Sequence, residues 1–139
     1  MKRFLLGALS YPIIVFPLAV LWHLVVFQSV YNEIGYIGRE EPGFLLGFLS
    51  IATQGLLLSF LYPRFYQGDP PIKAGLKFGA VAGLFHWTIH VLAFAAKAEL
   101  GSVELFFVIE TIYLAVQFLL TGIVLALIHG RIETEARVV

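Results

Sequence analysis

The chain has 139 residues, of which 60% are hydrophobic and 13% are charged, and its mean hydropathy is +0.91. Soluble domains carry about a quarter charged residues, so this composition indicates a membrane protein, with length for a single domain. The formal net charge of zero argues against a nucleic-acid partner, and the absence of cysteine excludes disulfides, thiolate metal sites and iron–sulfur clusters.

Four apolar stretches follow one another along the chain, and each is long enough to cross about 30 Å of hydrocarbon as a helix. They cover residues 4–28, 43–62, 72–96 and 103–129. The first runs well beyond the apolar length of a secretory signal peptide, and none has the alternating pattern of a membrane β-barrel. Since the connections are short, we predict an all-α, up-down-up-down bundle that takes in residues 1–139 as one domain.

The basic residues predict the orientation of this bundle. Most of them fall at the N-terminus, in the second connection or in the C-terminal segment: Lys2, Arg3, Arg64, Lys73, Lys77, Arg131 and Arg137. Only Arg39 and Lys97 fall on the other side. By the positive-inside rule, both termini are predicted to lie on the cytoplasmic side of a cytoplasmic (inner) membrane.

The third stretch carries Gly75, Gly79 and Gly83 at intervals of four residues, so they lie on one helical face. A face without side chains lets another helix approach closely, which is how helices associate in lipid. Ordinary packing within the chain is the favoured interpretation, and a homodimer through these glycines is the alternative.

The sequence FHWTIH places His86 and His90 one helical turn apart within an apolar stretch. Polar groups among lipid tails normally face the interior of a bundle and are candidates for function. Counting helical rise from the predicted ends puts His90, His23 and Glu110 at one level in the outer half of the membrane. A supporting polar network is predicted from four further residues: Gln54, Trp87, Tyr113 and Gln117.

Three functional hypotheses follow from this predicted cluster. The favoured one is a metal ion, zinc or iron, held by His86, His90, Glu110 and His23; haem bound through His23 and either His86 or His90 is less favoured. The second is an accessory or structural subunit of a larger membrane complex, without a site of its own. The third is a small proton-coupled transporter that acts as a dimer.

The sequence does not establish whether the chain catalyses a reaction. It contains no phosphate-binding loop, no dinucleotide fingerprint and no serine-hydrolase elbow.

Overall fold

The structure, a computed structural model, describes residues 1–37, 41–66 and 68–136, and within these the chain is helical and has no strand. Arg39 and Arg137, which the orientation prediction uses, lie outside the described residues. The helices are α1 (Lys2–Leu21), α2 (Gln28–Glu33), α3 (Phe44–Phe65), α4 (Pro71–Trp87), α5 (Ala93–Ala95) and α6 (Val103–Ala136). Two π-helical turns, Trp22–Val26 and Thr88–Leu92, extend α1 and α4.

Four helical segments are long and apolar enough to span a membrane, which indicates an all-helical membrane protein. They are the first span (Lys2–Val26), the second (Phe44–Phe65), the third (Pro71–Ala95) and the fourth (Val103–Gly130). These spans match the four predicted stretches to within about one helical turn. Large apolar side chains of all four spans are exposed on the outside of the bundle, where lipid would cover them.

Local sequence signals explain several span ends. Pro71 occupies the first turn of the third span, where its missing N–H costs no helical hydrogen bond. The Ser102 hydroxyl accepts a hydrogen bond from the Leu105 amide at 3.2 Å and so caps the start of the fourth span. The second span is predicted to end at residue 62, but the helix continues through Pro63 to Phe65, since a proline in the last turn removes only one backbone hydrogen bond.

The fourth span lies at the centre of the bundle: 44% of it is buried, against 17% of the second and third spans. It packs extensively on the third span and also contacts the first, which in turn packs on the second. The second and third spans make little backbone contact with each other and touch through the rings of Tyr62, Phe65 and Phe78. Residues 27–37 and 96–102 lie together at one end of the bundle, where the Gly101 amide donates to the Ile34 carbonyl at 3.1 Å. We call this end the Glu110 end and the opposite end the His129 end.

The third and fourth spans meet backbone to backbone through Gly75, Gly79, Gly83 and Gly122, here called the glycine seam. A Cβ atom added to Gly75 would lie 2.5 Å from the carbonyl oxygen of Gly122, and one added to Gly83 would lie 2.9 Å from Phe118 Cβ. The predicted glycine face thus packs within the chain, as favoured above, and the alternative homodimer through these glycines would have to displace the fourth span.

Candidate functional site

The Glu110 carboxylate lies at the centre of a buried polar cluster near one end of the bundle. Its side chain is fully buried, and Oε1 accepts a short hydrogen bond from the Tyr31 hydroxyl and lies 3.2 Å from His23 Nε2. Its other oxygen, Oε2, lies 2.7 Å from His90 Nε2, and the Tyr36 hydroxyl lies 3.1 Å from that same nitrogen. We call these five residues the Glu110 network.

Both histidines of the Glu110 network lie in π-helical turns. His23 belongs to Trp22–Val26 and His90 to Thr88–Leu92. At the end of the first π turn, the Phe27 amide donates to the Trp22 carbonyl at 3.0 Å. This carbonyl lies five residues earlier in the chain, whereas an α-helix pairs residues four apart. Single π turns inside α-helices are often found at functional sites, because the added residue changes the direction in which nearby side chains point. Both histidines thus meet Glu110 at the predicted level from irregular turns of their helices.

Two tyrosines reach the Glu110 network from the connection of residues 27–43. Tyr31 is fully buried, its ring stacks on His23 with centroids 4.9 Å apart, and its hydroxyl accepts a hydrogen bond from the Trp22 indole at 3.1 Å. Burial, together with the nearby Glu110 carboxylate, raises the pKa of both Tyr31 and Tyr36, so both hydroxyls keep their protons. Tyr31 escaped the sequence reasoning because nothing in the polar stretch that holds it predicts that it folds back into the bundle.

The hydrogen bonds require a shared proton between His23 and Glu110. His23 Nδ1 lies 2.9 Å from the carbonyl oxygen of Ala19, which can only accept, so Nδ1 carries a proton. His23 Nε2 therefore faces Glu110 either as the donor of an imidazolium or as the acceptor of a proton held by the carboxyl group. In either case one proton lies between the two side chains, and the two forms differ only in which atom holds it.

His86 does not join the Glu110 network, although His86 and His90 were predicted to bind the same metal ion. Its ring stacks on that of His90, with centroids 5.4 Å apart and planes at 24°, and also packs against Phe118. Of these two imidazoles, only that of His90 forms a hydrogen bond with Glu110.

A polar cavity of about 380 Å³ adjoins the Glu110 network, and side chains from all four spans line it. It contains six of the eight residues predicted as ligands or supporting groups: His23, Gln54, His86, His90, Tyr113 and Gln117. Its volume falls within the range of small-molecule sites in proteins.

Some polar groups at the cavity already form hydrogen bonds within the protein, and others can bond to a ligand. Tyr11 donates to Gln54 Oε1 at 2.8 Å and accepts from Gln117 Nε2 at 2.5 Å, which ties three spans together. Among the residues that the structure describes, no hydrogen bond is formed by the Tyr113 hydroxyl or by the His86 ring. Tyr113 is only 4% exposed, so a hydroxyl that is free at this depth is a ready hydrogen-bonding group for a bound molecule.

Trp87 lies apart from the cavity. Its indole donates to Thr111 Oγ1 at 2.9 Å, between the third and fourth spans. The predicted need of this indole for a partner within the bundle is met, but not by the polar cluster.

The predicted metal ion does not fit the arrangement of these side chains. Zinc bound by imidazole and carboxylate needs about 2.0–2.2 Å from each ligand atom to one centre. The imidazoles of His23 and His90 instead face different oxygens of Glu110, and no group of three or more His, Asp or Glu side chains in the described part of the chain is arranged to hold a metal. A haem between His23 and His90 would have to occupy the place of the Glu110 carboxylate, which lies between them.

The fold and the site together define a helical membrane protein with a buried acid–base network beside a polar cavity. No family model matches the chain, and neither a curated protein nor a solved structure matches it. Function is therefore inferred from the geometry of this site.

Proposed function

We propose that the chain is a proton-coupled membrane carrier that binds a small hydrogen-bonding solute in the polar cavity. The observation that carries the proposal is the position of the shared proton. It lies between His23 and Glu110, and His23 and His90 both line the cavity. A solute in the cavity would thus contact His23, one of the two groups that share the proton.

The chemistry of the carrier follows from the hydrogen bonds of Glu110. The Tyr31 hydroxyl donates to one oxygen of the Glu110 carboxyl group and the His90 imidazole faces the other, so the group can release its proton to His23 without being left unpaired. A solute that bonds to the free groups of His86 or Tyr113 lies next to His90 and changes the electrostatic balance of the network. Binding and proton position are then coupled, which is the requirement for proton-linked transport.

The proton exchange can be tested by infrared difference spectroscopy of the protein in nanodiscs during a pH step. We expect a carboxyl signal that changes together with imidazole bands and shifts in heavy water, because the network borders a cavity. Glu110→Gln should remove the carboxyl signal. Glu104→Gln is the matched control, since Glu104 lies on the same helix but is exposed at its end.

Identical difference spectra for the native chain and Glu110→Gln, with the helical circular dichroism retained throughout, would overturn the proposal. Glu110 would then serve only to fix the positions of the helices, as expected for an accessory subunit.

Elemental analysis and a visible absorption spectrum distinguish the proposed carrier from a protein that binds a metal ion or haem. We expect less than one zinc, iron or haem per chain after gentle purification. One ion per chain in the native protein, lost in His90→Ala, would instead support a metal site that forms by rearrangement of the Glu110 network.

For orientation we propose the up-down-up-down arrangement with both termini on the cytoplasmic side of an inner membrane. Contacts support it: the third span meets the fourth through Gly75 and Gly122 near one end and through His90 and Glu110 near the other. Because the chain lacks cysteine, Glu104→Cys should react with an impermeant maleimide on intact cells, and Lys2→Cys only after the cells are opened. The reverse pattern would invert the orientation.

A further inference from the structure

A cleft of about 590 Å³ lies between the second and third spans and is separate from the Glu110 network. Leu57, Leu61, Val81 and Phe85 line it, and three of these four side chains are more than half exposed. At one end the cleft reaches Gln54 and His86, which also line the polar cavity, and at the other end it reaches Arg64. The cleft is thus an apolar channel with a cation at its outer limit.

The charge of Arg64 is not balanced by an acid in the described part of the chain. Its guanidinium donates to the carbonyl of Phe60 at 2.6 Å and lies over the ring of that residue, 3.7 Å from the centroid. Asp69, in the connection that follows, pairs instead with Lys73 and Lys77, at 3.3 and 2.6 Å. Several guanidinium N–H groups therefore remain for an anion at the membrane surface.

The length of the cleft fits one lipid leaflet. Arg64 and Gln54 are ten residues apart on one helix, which at about 1.5 Å per residue gives about 15 Å. This is half of the roughly 30 Å hydrocarbon thickness of a bilayer. An acyl chain whose headgroup lies beside Arg64 would end near Gln54 and His86.

We infer that the cleft binds an anionic phospholipid of the leaflet on the Arg64 side. The phosphate group contacts the Arg64 guanidinium, and one acyl chain lies between the second and third spans. The end of that chain closes the side of the polar cavity that would otherwise open toward lipid. The inference depends on Arg64 and the cleft, and it does not depend on proton exchange at Glu110.

Native mass spectrometry of the whole chain can test this with two lipids that share the same acyl chains, phosphatidylglycerol and phosphatidylcholine. We expect phosphatidylglycerol to be retained about tenfold better, because its phosphate has no cation of its own, whereas the phosphate of phosphatidylcholine is already neutralised by choline. Arg64→Gln should remove the preference. Lys2→Gln, which removes an exposed cation outside the cleft, should leave it intact.

Filling the cleft provides a second test. Ala82→Phe should lower the retention of both lipids, because its ring would occupy the space of the acyl chain. Equal retention of the two lipids by the native chain would overturn the inference, as would a preference that survives in Arg64→Gln. Arg64 is exposed and its replacement leaves the packing of the bundle unchanged, so that variant gives a decisive result even where Ala82→Phe fails to fold.

Discussion

The two ends of the bundle are built in different ways. Toward the His129 end the helices are regular, and the glycine seam brings the third and fourth spans into backbone contact. Toward the Glu110 end the first and third spans contain π-helical turns, and polar side chains replace the close backbone contact. Regular helices with small residues provide the rigid part of the fold, and the irregular end holds the cavity.

Both ends of the bundle contain buried polar side chains, so their presence alone does not distinguish the two ends. At the His129 end, Ser59 donates to the carbonyl of Phe4 at 2.9 Å and lies 3.0 Å from His129 Nε2. Gly7 makes room for this pair, since a Cβ atom there would lie 2.7 Å from His129 Nε2. These groups fill their own space, whereas those beside Glu110 border a cavity of about 380 Å³. The cavity is therefore what separates a site from a structural contact.

The largest expected effect comes from breaking the glycine seam. In Gly122→Ala the added Cβ atom would meet the Gly75 carbonyl oxygen at far less than contact distance and Gly79 N at 3.0 Å, and neither is the end of a flexible side chain. We expect a loss of at least about 3 kcal/mol in the free energy of unfolding in detergent. Gly47→Ala is the control, because nothing lies within 4 Å of a Cβ atom there. Equal stability of the two variants would show that the spans are not in backbone contact.

The next largest effect concerns the irregular end. Glu110→Ala removes the carboxyl group that pairs with Tyr31, His23 and His90 and leaves their buried polar atoms without this partner, so we expect a loss of about 3 kcal/mol. Glu110→Gln should lose less, because an amide oxygen still accepts hydrogen bonds. The same unfolding measurement compares them. An unaltered free energy in Glu110→Ala would contradict the central place of this side chain.

The sequence predicts the regular His129 end of the bundle better than the irregular Glu110 end. Span positions follow from runs of apolar residues, and the glycine face follows from a spacing of four, because both depend on helical periodicity alone. The same periodicity brings His23, His90 and Glu110 to one level, and their side chains do meet.

Periodicity fails where the helix departs from 3.6 residues per turn. Spacing alone does not show that the rings of His86 and His90 stack on each other and that only His90, which lies in a π-helical turn, reaches Glu110. Tyr31 and Tyr36 reach the site through a connection whose path depends on tertiary packing, with Tyr36 between the rings of Phe94 and Phe106. No local pattern in the sequence indicates that packing.

A smaller effect is expected midway between the two ends, where Tyr11 links Gln54 and Gln117. Tyr11→Phe keeps the ring, which is 1% exposed, and removes only the hydroxyl between the two amides. Hydrogen bonds between membrane helices contribute about 0.6 kcal/mol on average, so losing two predicts a cost of about 1 kcal/mol. The Ser10→Ala change on the same helix, at a partly buried position, would alter only a local bond to the Gly7 carbonyl and serves as the control. A loss of about 3 kcal/mol or more in the free energy of unfolding would show that the Tyr11 hydrogen bonds stabilise the fold as much as the glycine seam does.

The smallest effect is expected outside the membrane, at the connection between the second and third spans. Hydrogen bonding to Lys77, and then to Lys73, lowers the pKa of the Asp69 carboxyl below its ordinary value of 3.8. A lowered pKa in the folded state gives a stabilisation that is complete above the ordinary pKa and is lost as the pH falls through the folded value. The melting temperature of Asp69→Asn should therefore be slightly below that of the native chain at pH 7, and the difference should vanish in acid and shrink in high salt. A difference that instead grows in acid would mean that Asp69 is held neutral in the fold, which its contacts with two lysines oppose.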